Sequence, residues 1–212
     1  MLNRFLNFSP TELLISLPAI VIALTFHEFS HAYSAYLLGD NTARNMGRLS
    51  LNPMHHLDPI GFLCLMFFRF GWAKPVPVNP YNFRSVDEKT GMLLTAFAGP
   101  ASNIILCFLS VGLIYLLPMR LFPVWVYSLL NYLVWINASL AFFNLIPVPP
   151  LDGSKILFGL LPYRMYSGLM VLEQYSSILL LILIISNIPS MVISPLSSGL
   201  VRSFQRFFMI FI

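Results

Sequence analysis

Four long apolar stretches alternate with shorter polar segments along the chain. Residues 13–38 are apolar apart from a few polar positions near their end, and residues 90–119, 121–151 and 174–201 contain no charged side chain. A helix that crosses a bilayer needs about 20 predominantly apolar residues. The pattern therefore predicts several membrane-spanning α-helices.

The composition indicates a membrane protein with one domain. Of the 212 residues, 58% are hydrophobic and 9% are charged, whereas about 25% of residues are charged in an ordinary soluble domain. We therefore expect a multi-pass α-helical protein of about 4 to 6 helices, with a single domain over residues 1–212, in the cell membrane. The net charge of +4 is small for a nucleic-acid-binding protein, so we expect the lipid bilayer and no nucleic acid as a partner.

The segment between the first two apolar stretches, residues 40–89, has a different character. Residues 59–68 are apolar but only about half as long as a bilayer crossing, and closely spaced prolines keep the chain extended after them. We therefore expect a short β-like or re-entrant region over residues 45–85. Basic residues also predict that the whole segment faces the cytoplasm; they are Arg44, Arg48, Arg69, Lys74, Arg84 and Lys89.

Prolines interrupt two of the later apolar stretches. The pair Gly99-Pro100 predicts either a break or an ordinary kink in the second helix. Three prolines within residues 147–150 cannot continue a helix, so an extended strip that ends at Asp152 is expected after the third. On this pattern alone, Asp152 either caps a helix that begins near Ser154 or belongs to a functional site.

Candidate chemistry is concentrated in the second half of the first stretch. His27 and His31 are four residues apart, so in a helix they lie on one face, with Glu28 beside them. This H-E-x-x-H spacing is typical of zinc hydrolases, in which neutral imidazoles bind the metal and the glutamate transfers a proton. The alternative is a helix that carries two unrelated histidines. A charged side chain at membrane depth is costly, which favours the functional interpretation.

The order of the helices points to a third metal ligand. If the first helix runs toward the cytoplasm, the second runs away from it and the third returns. Asp152 then lies on the same side of the membrane as His31. A carboxylate would complete a set of three protein ligands and leave a fourth position for water.

With these features, the chain resembles the site-2 protease family of intramembrane zinc metalloproteases, in particular its small prokaryotic branch without a PDZ domain. The resemblance implies a site-2-protease-like transmembrane core, with a catalytic core at about residues 13–165 and C-terminal membrane segments at 168–212. It rests on the motifs His27-Glu28-Phe29-Ser30-His31, Gly47-Arg48-Leu49-Ser50-Leu51-Asn52-Pro53 with His56-Leu57-Asp58-Pro59-Ile60-Gly61, Gly71-Trp72-Ala73-Lys74-Pro75-Val76-Pro77-Val78-Asn79-Pro80, Ala98-Gly99-Pro100, and Asn144-x-x-Pro147-x-Pro149-x-x-Asp152-Gly153.

The same resemblance implies the composition of the active site. One zinc ion per chain would be bound by His27, His31 and Asp152, and Glu28 would be the general base.

Two further residues match positions of the family near its active site. Asn144 matches an asparagine that steadies the substrate or the oxyanion, and His56 matches a histidine in a loop close to the metal.

The activity implied by the resemblance is that of a metalloendopeptidase. It would hydrolyse peptide bonds within or next to transmembrane segments of other membrane proteins, with its active site toward the cytoplasmic side. Two alternatives stay open: a protein that binds or passes metal ions, and an inactive relative that acts as a chaperone or scaffold. Glu28 favours the hydrolase, because a site that only binds metal needs no base beside its ligands.

Overall fold

The structure is a computed structural model that describes residues 10–68, 71–162, 171–186 and 188–211. Helices form most of these ranges, and no β-strand occurs within them. In chain order the helices are α1 (Pro10–Leu37), α2 (Thr42–Asn45), α3 (Pro59–Phe68), α4 (Glu88–Leu116), α5 (Val124–Asn144), α6 (Asp152–Leu160), α7 (Ser176–Ile185) and α8 (Ile188–Met209).

Within the described ranges, three helices are long and apolar enough to cross a membrane. They are Leu14–Leu37 in α1, Glu88–Leu116, which is α4, and Val124–Asn144, which is α5. Helix α7 is also apolar, but it has only ten residues. The prediction of an α-helical membrane protein is therefore confirmed.

Helix α4 lies at the centre of the bundle and packs against α1, α5, α6 and α8. It continues through Pro100 without a break, so the first of the two predictions for Gly99-Pro100 was wrong. Helices α4, α5 and α8 pack together around a buried apolar core. Its members are Cys107, Val111, Val134, Ala138, Val201 and Phe208.

One buried carboxylate, that of Asp40, joins the two ends of the connection between α1 and α4 through hydrogen bonds. Helix α1 ends at Leu37, and Gly39 then adopts a φ of 108°, a left-handed conformation that favours glycine. Asp40, which follows, is fully buried. Its carboxylate accepts hydrogen bonds from the backbone N–H of Thr42 at 2.9 Å, the backbone N–H of Asn79 at 2.8 Å and Nδ2 of Asn82 at 3.0 Å. The two ends of the long connection are thus joined through Asp40.

A buried arginine holds the middle of the same connection. Nη2 of Arg48 donates to the backbone oxygens of Lys74 at 2.6 Å and Pro75 at 3.3 Å. The backbone N–H of Lys74 in turn donates to the carbonyl oxygen of His56 at 2.8 Å. These bonds fix the chain immediately before Val76.

Within the predicted β-like region, the structure has one isolated β-bridge. Leu57 and Ala73 form one antiparallel bridge, and the described residues around them contain no strand. The prolines explain the difference, since a residue without an N–H cannot donate to a ladder of strands. The apolar half-length piece of this region forms α3.

The segment between α5 and α6 is folded into turns. The N–H of Val148 donates to the carbonyl of Ile146 at 2.8 Å, and the N–H of Leu151 donates to the carbonyl of Val148 at 2.9 Å. The prediction of an extended strip before Asp152 was therefore wrong: prolines prevent a helix but are also compatible with tight turns. Gly153 permits the fold, because a Cβ there would overlap the backbone oxygens of the turn.

Candidate metal centre

Two histidines of α1 and the first residue of α6 meet beside α4. Nε2 of His27 lies 3.1 Å from Oδ2 of Asp152, and Nε2 of His31 lies 3.2 Å from the same oxygen. The two Nε2 atoms are 3.0 Å apart. All three side chains are buried, and within the described part of the chain they form the one group of three that could hold a metal ion.

The fold brings these residues together in the way the order of the helices suggests. His27 and His31 are one turn apart on α1, whereas Asp152 arrives from the end of α5 through the turns of residues 145–151. The residue at the cap position of α6 is Leu151, and no side chain caps this helix. The carboxylate of Asp152 is directed to the histidines, so the capping alternative does not hold.

The rings of both histidines are held from behind through their Nδ1 atoms. Nδ1 of His31 lies 2.7 Å from the carbonyl oxygen of Thr95, and Nδ1 of His27 lies 2.7 Å from Oδ1 of Asn103. Because a carbonyl oxygen can only accept, each Nδ1 carries the hydrogen. In the neutral rings, the lone pairs of both Nε2 atoms therefore face Asp152.

The carboxylate of Asp152 is ionised in this position. Burial raises the pKa of Asp152, whereas positive charge at the positions of His31 and His27 lowers it well below the ordinary value for aspartate, and a metal ion at the same place would act in the same direction. The site therefore presents one negative charge to the two imidazoles.

These residues fit a zinc ion. Three electron-pair donors converge with no hydrogen of the neutral rings between them, an arrangement that is repulsive unless a cation lies among them. Tetrahedral zinc with bonds of about 2.0–2.1 Å separates its ligand atoms by about 3.3 Å, close to the separations of 3.0–3.2 Å found here. Two imidazoles and one carboxylate are also a ligand set that catalytic zinc uses.

Gly99 of α4 provides the space for the histidine rings. A Cβ at this position would come within 3 Å of atoms in both the His27 and the His31 ring. Gly99 therefore permits the close approach of α4 to α1 at the metal centre. Pro100, next to it, stays within the helix.

Glu28 lies beside the cluster and is also buried. Its Oε2 accepts a hydrogen bond of 3.0 Å from the backbone N–H of Val76. A polar cavity of about 330 Å³ contains Glu28 and the three candidate ligands. The other residues around this cavity are Pro75, Val76, Val78, Met92, Thr95, Ala96, Asn144, Pro150 and Lys155.

The two remaining predicted residues occupy different positions. Asn144 lines the cavity, and its Nδ2 donates to the carbonyl of Leu140 in its own helix at 3.1 Å. His56 does not line it. Its buried ring lies 2.6 Å from the carbonyl of Ser50 through Nε2, and its Nδ1 has no hydrogen-bond partner in the described part of the chain. Burial lowers the pKa of His56.

Sequence reasoning missed the residues that support the site from behind. Asn103 contacts His27, and Arg48 and Asp40 hold the segment that contacts Glu28. A signal for Asn103 was available, because an amide in the middle of an uncharged spanning segment needs a buried partner. Arg48 and Asp40 carried no comparable signal, because charged residues in a polar connection are common.

Comparisons with known proteins agree with this site. The family model for Peptidase family M50 matches residues 120–186. The chain is 36% identical over 201 residues to "Putative zinc metalloprotease YwhC" of Bacillus subtilis (strain 168), covering 92% of this chain and 91% of that protein. It is 30% identical over 152 residues to "Putative zinc metalloprotease MJ0611" of Methanocaldococcus jannaschii, covering 71% and 73%.

A more distant relative is "Putative zinc metalloprotease Rip2" of Mycolicibacterium smegmatis, which is 25% identical over 171 residues, covering 78% of this chain and 64% of that protein. No solved structure matches the chain. The similarity to the Bacillus subtilis protein extends over nearly the full length of both chains. The chain therefore belongs to Peptidase family M50, the site-2 protease family, and is a zinc metalloprotease of that kind.

Proposed function

We propose that this protein is an intramembrane endopeptidase that cleaves peptide bonds within or next to transmembrane segments of other membrane proteins. In this proposal His27, His31 and Asp152 bind one zinc ion per chain, and Glu28 is the general base. The observation that carries it is the convergence of the three ligand atoms at the wall of a cavity that also contains Glu28.

The chain's own residues account for the steps of hydrolysis. Zinc, when bound, supplies a Lewis acid that polarises the scissile carbonyl and acidifies a water molecule. Glu28 takes the proton from that water and returns it to the leaving amine. The bond from the N–H of Val76 orients the Glu28 carboxylate during both transfers. Asn144 lines the same cavity and would donate its amide to the oxygen of the scissile carbonyl, in exchange for its bond to Leu140.

An apolar cavity that shares three chain segments with the cavity at the metal centre supports a membrane-embedded substrate. Its volume is about 550 Å³. Three segments contribute to both cavities: Leu24 lies one turn from His27, Trp72 precedes Pro75 by three residues, and Phe143 is next to Asn144. A substrate segment in the apolar cavity would thus be adjacent to the proposed metal centre. The other apolar walls are formed by Ile20, Leu57, Phe62, Leu65, Trp135, Ile136, Leu140, Ile184 and Ile193.

The position of the site in its helices supports access from the cytoplasmic side. His31 is six residues from the end of α1, and Asp152 lies beyond the end of α5. The connection over residues 38–87, which we predict to be cytoplasmic from its basic residues, begins at the same end of α1. In this arrangement the catalytic core at about 13–165 forms one unit with the C-terminal membrane segments.

The test is to measure zinc content and cleavage of a single-span model substrate in the same detergent preparations. We expect about one zinc per chain in the wild type. Glu28→Gln should retain the zinc and abolish cleavage, whereas Asp152→Ala should lose both, since catalytic zinc needs its three protein ligands. Glu88→Gln is the matched control for Glu28→Gln, because Glu88 is exposed and lines neither the cavity at the metal centre nor the apolar cavity.

Two outcomes would contradict the proposal. Full zinc content in Asp152→Ala would show that Asp152 is not a ligand. A Glu28→Gln protein that cleaves at the wild-type rate, or a wild type that binds zinc and cleaves no membrane substrate, would favour a metal-binding protein.

A further inference from the structure

A line of buried amides crosses the bundle behind His27. Asn103 of α4 and Asn137 of α5 are both fully buried. Nδ2 of Asn103 lies 2.8 Å from Oδ1 of Asn137 and 3.2 Å from the carbonyl of Ala23. Nδ2 of Asn137 lies 2.8 Å from the carbonyl of Leu133. The line begins at Nδ1 of His27, passes through both amides and ends on the backbone of α5.

The backbone carbonyls at this line fix the orientation of each amide. The carbonyl of Leu133 can only accept, so Asn137 must direct its NH₂ group there and its oxygen toward Asn103. Asn103 then faces two acceptors, this oxygen and the carbonyl of Ala23, with its NH₂ group. A reversed amide would place oxygen against oxygen in a buried site, which is costly.

The orientation of Asn103 determines the tautomer of His27. Because the NH₂ group of Asn103 donates to Asn137 and to the carbonyl of Ala23, its oxygen is left to accept from Nδ1 of His27. His27 must then carry its hydrogen on Nδ1, and its Nε2 presents a lone pair to Asp152. His31 differs, because the backbone carbonyl of Thr95 sets its tautomer directly.

We propose that Asn103 and Asn137 are positioning residues that fix the tautomer and ring orientation of His27 and thereby set the affinity for zinc. The inference rests on the proposed metal site, and it assigns a role to residues outside the ligand set. Its magnitude follows from other metal proteins, in which the loss of a hydrogen-bond partner of a ligating histidine weakens metal binding by about 10- to 100-fold.

A purely structural role is the competing explanation. Buried amides that join three helices stabilise membrane bundles by interhelical hydrogen bonds. The two roles differ in what they change: a structural role lowers the stability of the metal-free protein, whereas a positioning role changes the histidine tautomer and the zinc dissociation constant.

The experiment uses the full chain in detergent, with and without zinc. We would measure the zinc dissociation constant by competition with a chelator, the thermal stability without metal, and the ¹⁵N NMR spectrum of histidine-labelled metal-free protein. The spectrum of His27→Gln identifies the His27 signals by difference. The variants are Asn103→Leu, Asn103→Asp and Asn137→Leu. Ser110→Ala is the control, because Ser110 is a buried polar residue of α4 whose hydroxyl, among the described residues, bonds to its own helix at Leu106.

Wild-type His27 is expected as the Nδ1–H tautomer. Asn103→Leu should mix the tautomers and weaken zinc binding by about 10- to 100-fold. Asn103→Asp keeps an acceptor at His27 and should restore a large part of the affinity, while its second oxygen, which faces the acceptors of Asn137 and Ala23, should lower the stability of the metal-free protein. Asn137→Leu, which frees Asn103 to turn, should fall between Asn103→Leu and the wild type in zinc affinity. Ser110→Ala should bind zinc as the wild type does.

Three results would overturn the inference. The first is an unchanged zinc dissociation constant in Asn103→Leu, and the second is an Nε2–H tautomer of His27 in the wild type. The third applies if Asn103→Leu does not fold: wild-type zinc affinity and a wild-type His27 tautomer in Asn137→Leu would then show that the two asparagines do not position His27. A wild-type protein that binds no zinc would reject the metal site itself, while its tautomer spectrum would still test whether the asparagines fix the tautomer of His27.

Discussion

The backbone N–H of Val76 donates a hydrogen bond of 3.0 Å to Oε2 of Glu28, so the connection after α3 contacts the proposed general base directly. Val76 lies between two prolines, which have no N–H of their own. It is therefore the residue from which that short segment can donate to the carboxylate. The geometry of a loop that lies far from α1 in sequence thus determines the orientation of a side chain within α1.

Replacement of Val76 by proline should impair catalysis without loss of metal. Val76→Pro removes the N–H, and hydrogen bonds to charged groups contribute about 1.5–3 kcal/mol, which corresponds to a rate decrease of roughly 10- to 100-fold. Zinc content should not change, because the ligands are untouched. Val76→Ala is the matched control at the same position, because it keeps the N–H that bonds to Glu28, and it should cleave near the wild-type rate. Equal rates for both variants would show that the Val76 contact has no catalytic role.

Arg48 should stabilise the hydrogen bond between Val76 and Glu28 indirectly. Its guanidinium holds the carbonyls of Lys74 and Pro75, immediately before Val76. Arg48→Met should lower both cleavage and stability, the latter by about 1.5–3 kcal/mol because bonds to a charged donor are lost. Unfolding in detergent and cleavage of the model substrate measure the two effects.

Arg44→Met provides the control for Arg48, because Arg44 is exposed and its guanidinium contacts only Tyr36 among the described residues. Arg44→Met should change the cleavage rate and the stability only slightly. An Arg48→Met protein with wild-type cleavage would show that the segment holds its position without the arginine.

Much of the fold followed from the sequence because its physical cause is local. Continuous apolar stretches predicted the spanning helices α1, α4 and α5, and the four-residue spacing of His27 and His31 fixes a common face on α1. The meeting of Asp152 with His31 followed from the alternating directions of three helices.

The parts that the sequence did not predict depend on contacts between distant segments. The turns before Asp152 were mistaken for an extended strip, because proline excludes a helix without choosing between the alternatives. The bond from Asn79 to Asp40 and the bond from His27 to Asn103 join residues 39 and 76 positions apart. No local pattern of apolar and polar residues specifies such pairs.

The carboxylate of Asp40 should make stability depend on pH. Burial raises its pKa, but hydrogen bonds from Thr42, Asn79 and Asn82 outweigh burial, so the pKa in the folded protein lies below the ordinary value. A group of this kind stabilises the fold above its unfolded pKa of about 3.9 and loses that contribution as the pH falls through the folded pKa.

The comparison of Asp40→Asn with the wild type tests this effect. The variant should be less stable at neutral pH, because an amide nitrogen would face one of the donors, and the difference should shrink as the pH falls below about 4. Thermal unfolding in detergent between neutral and acidic pH measures it. Glu173→Gln is the control, because Glu173 is an exposed carboxylate. A constant difference at all pH values would contradict the assignment to Asp40.

Gly99 should be intolerant of even one added carbon. In Gly99→Ala the new Cβ would lie within 3 Å of both histidine rings, so the rings or α4 must move. Because the ligand atoms are only 3.0–3.2 Å apart, a shift of either ring changes the distances to a common metal ion. We expect zinc affinity to fall by on the order of 10-fold or more, with a parallel loss of cleavage.

Gly199→Ala separates this effect from a general change of helix propensity. Gly199 lies in α8, and a Cβ added there would meet no described atom within 4 Å, so alanine should be neutral or stabilise the helix by up to about 1 kcal/mol. The zinc dissociation constant and metal-free unfolding of both variants provide the comparison. If Gly99→Ala unfolds at a lower temperature without zinc but binds zinc as the wild type does, the glycine serves only the packing of α4 against α1. If zinc affinity falls while the metal-free protein stays folded, the close approach of α4 is a requirement of the metal centre itself.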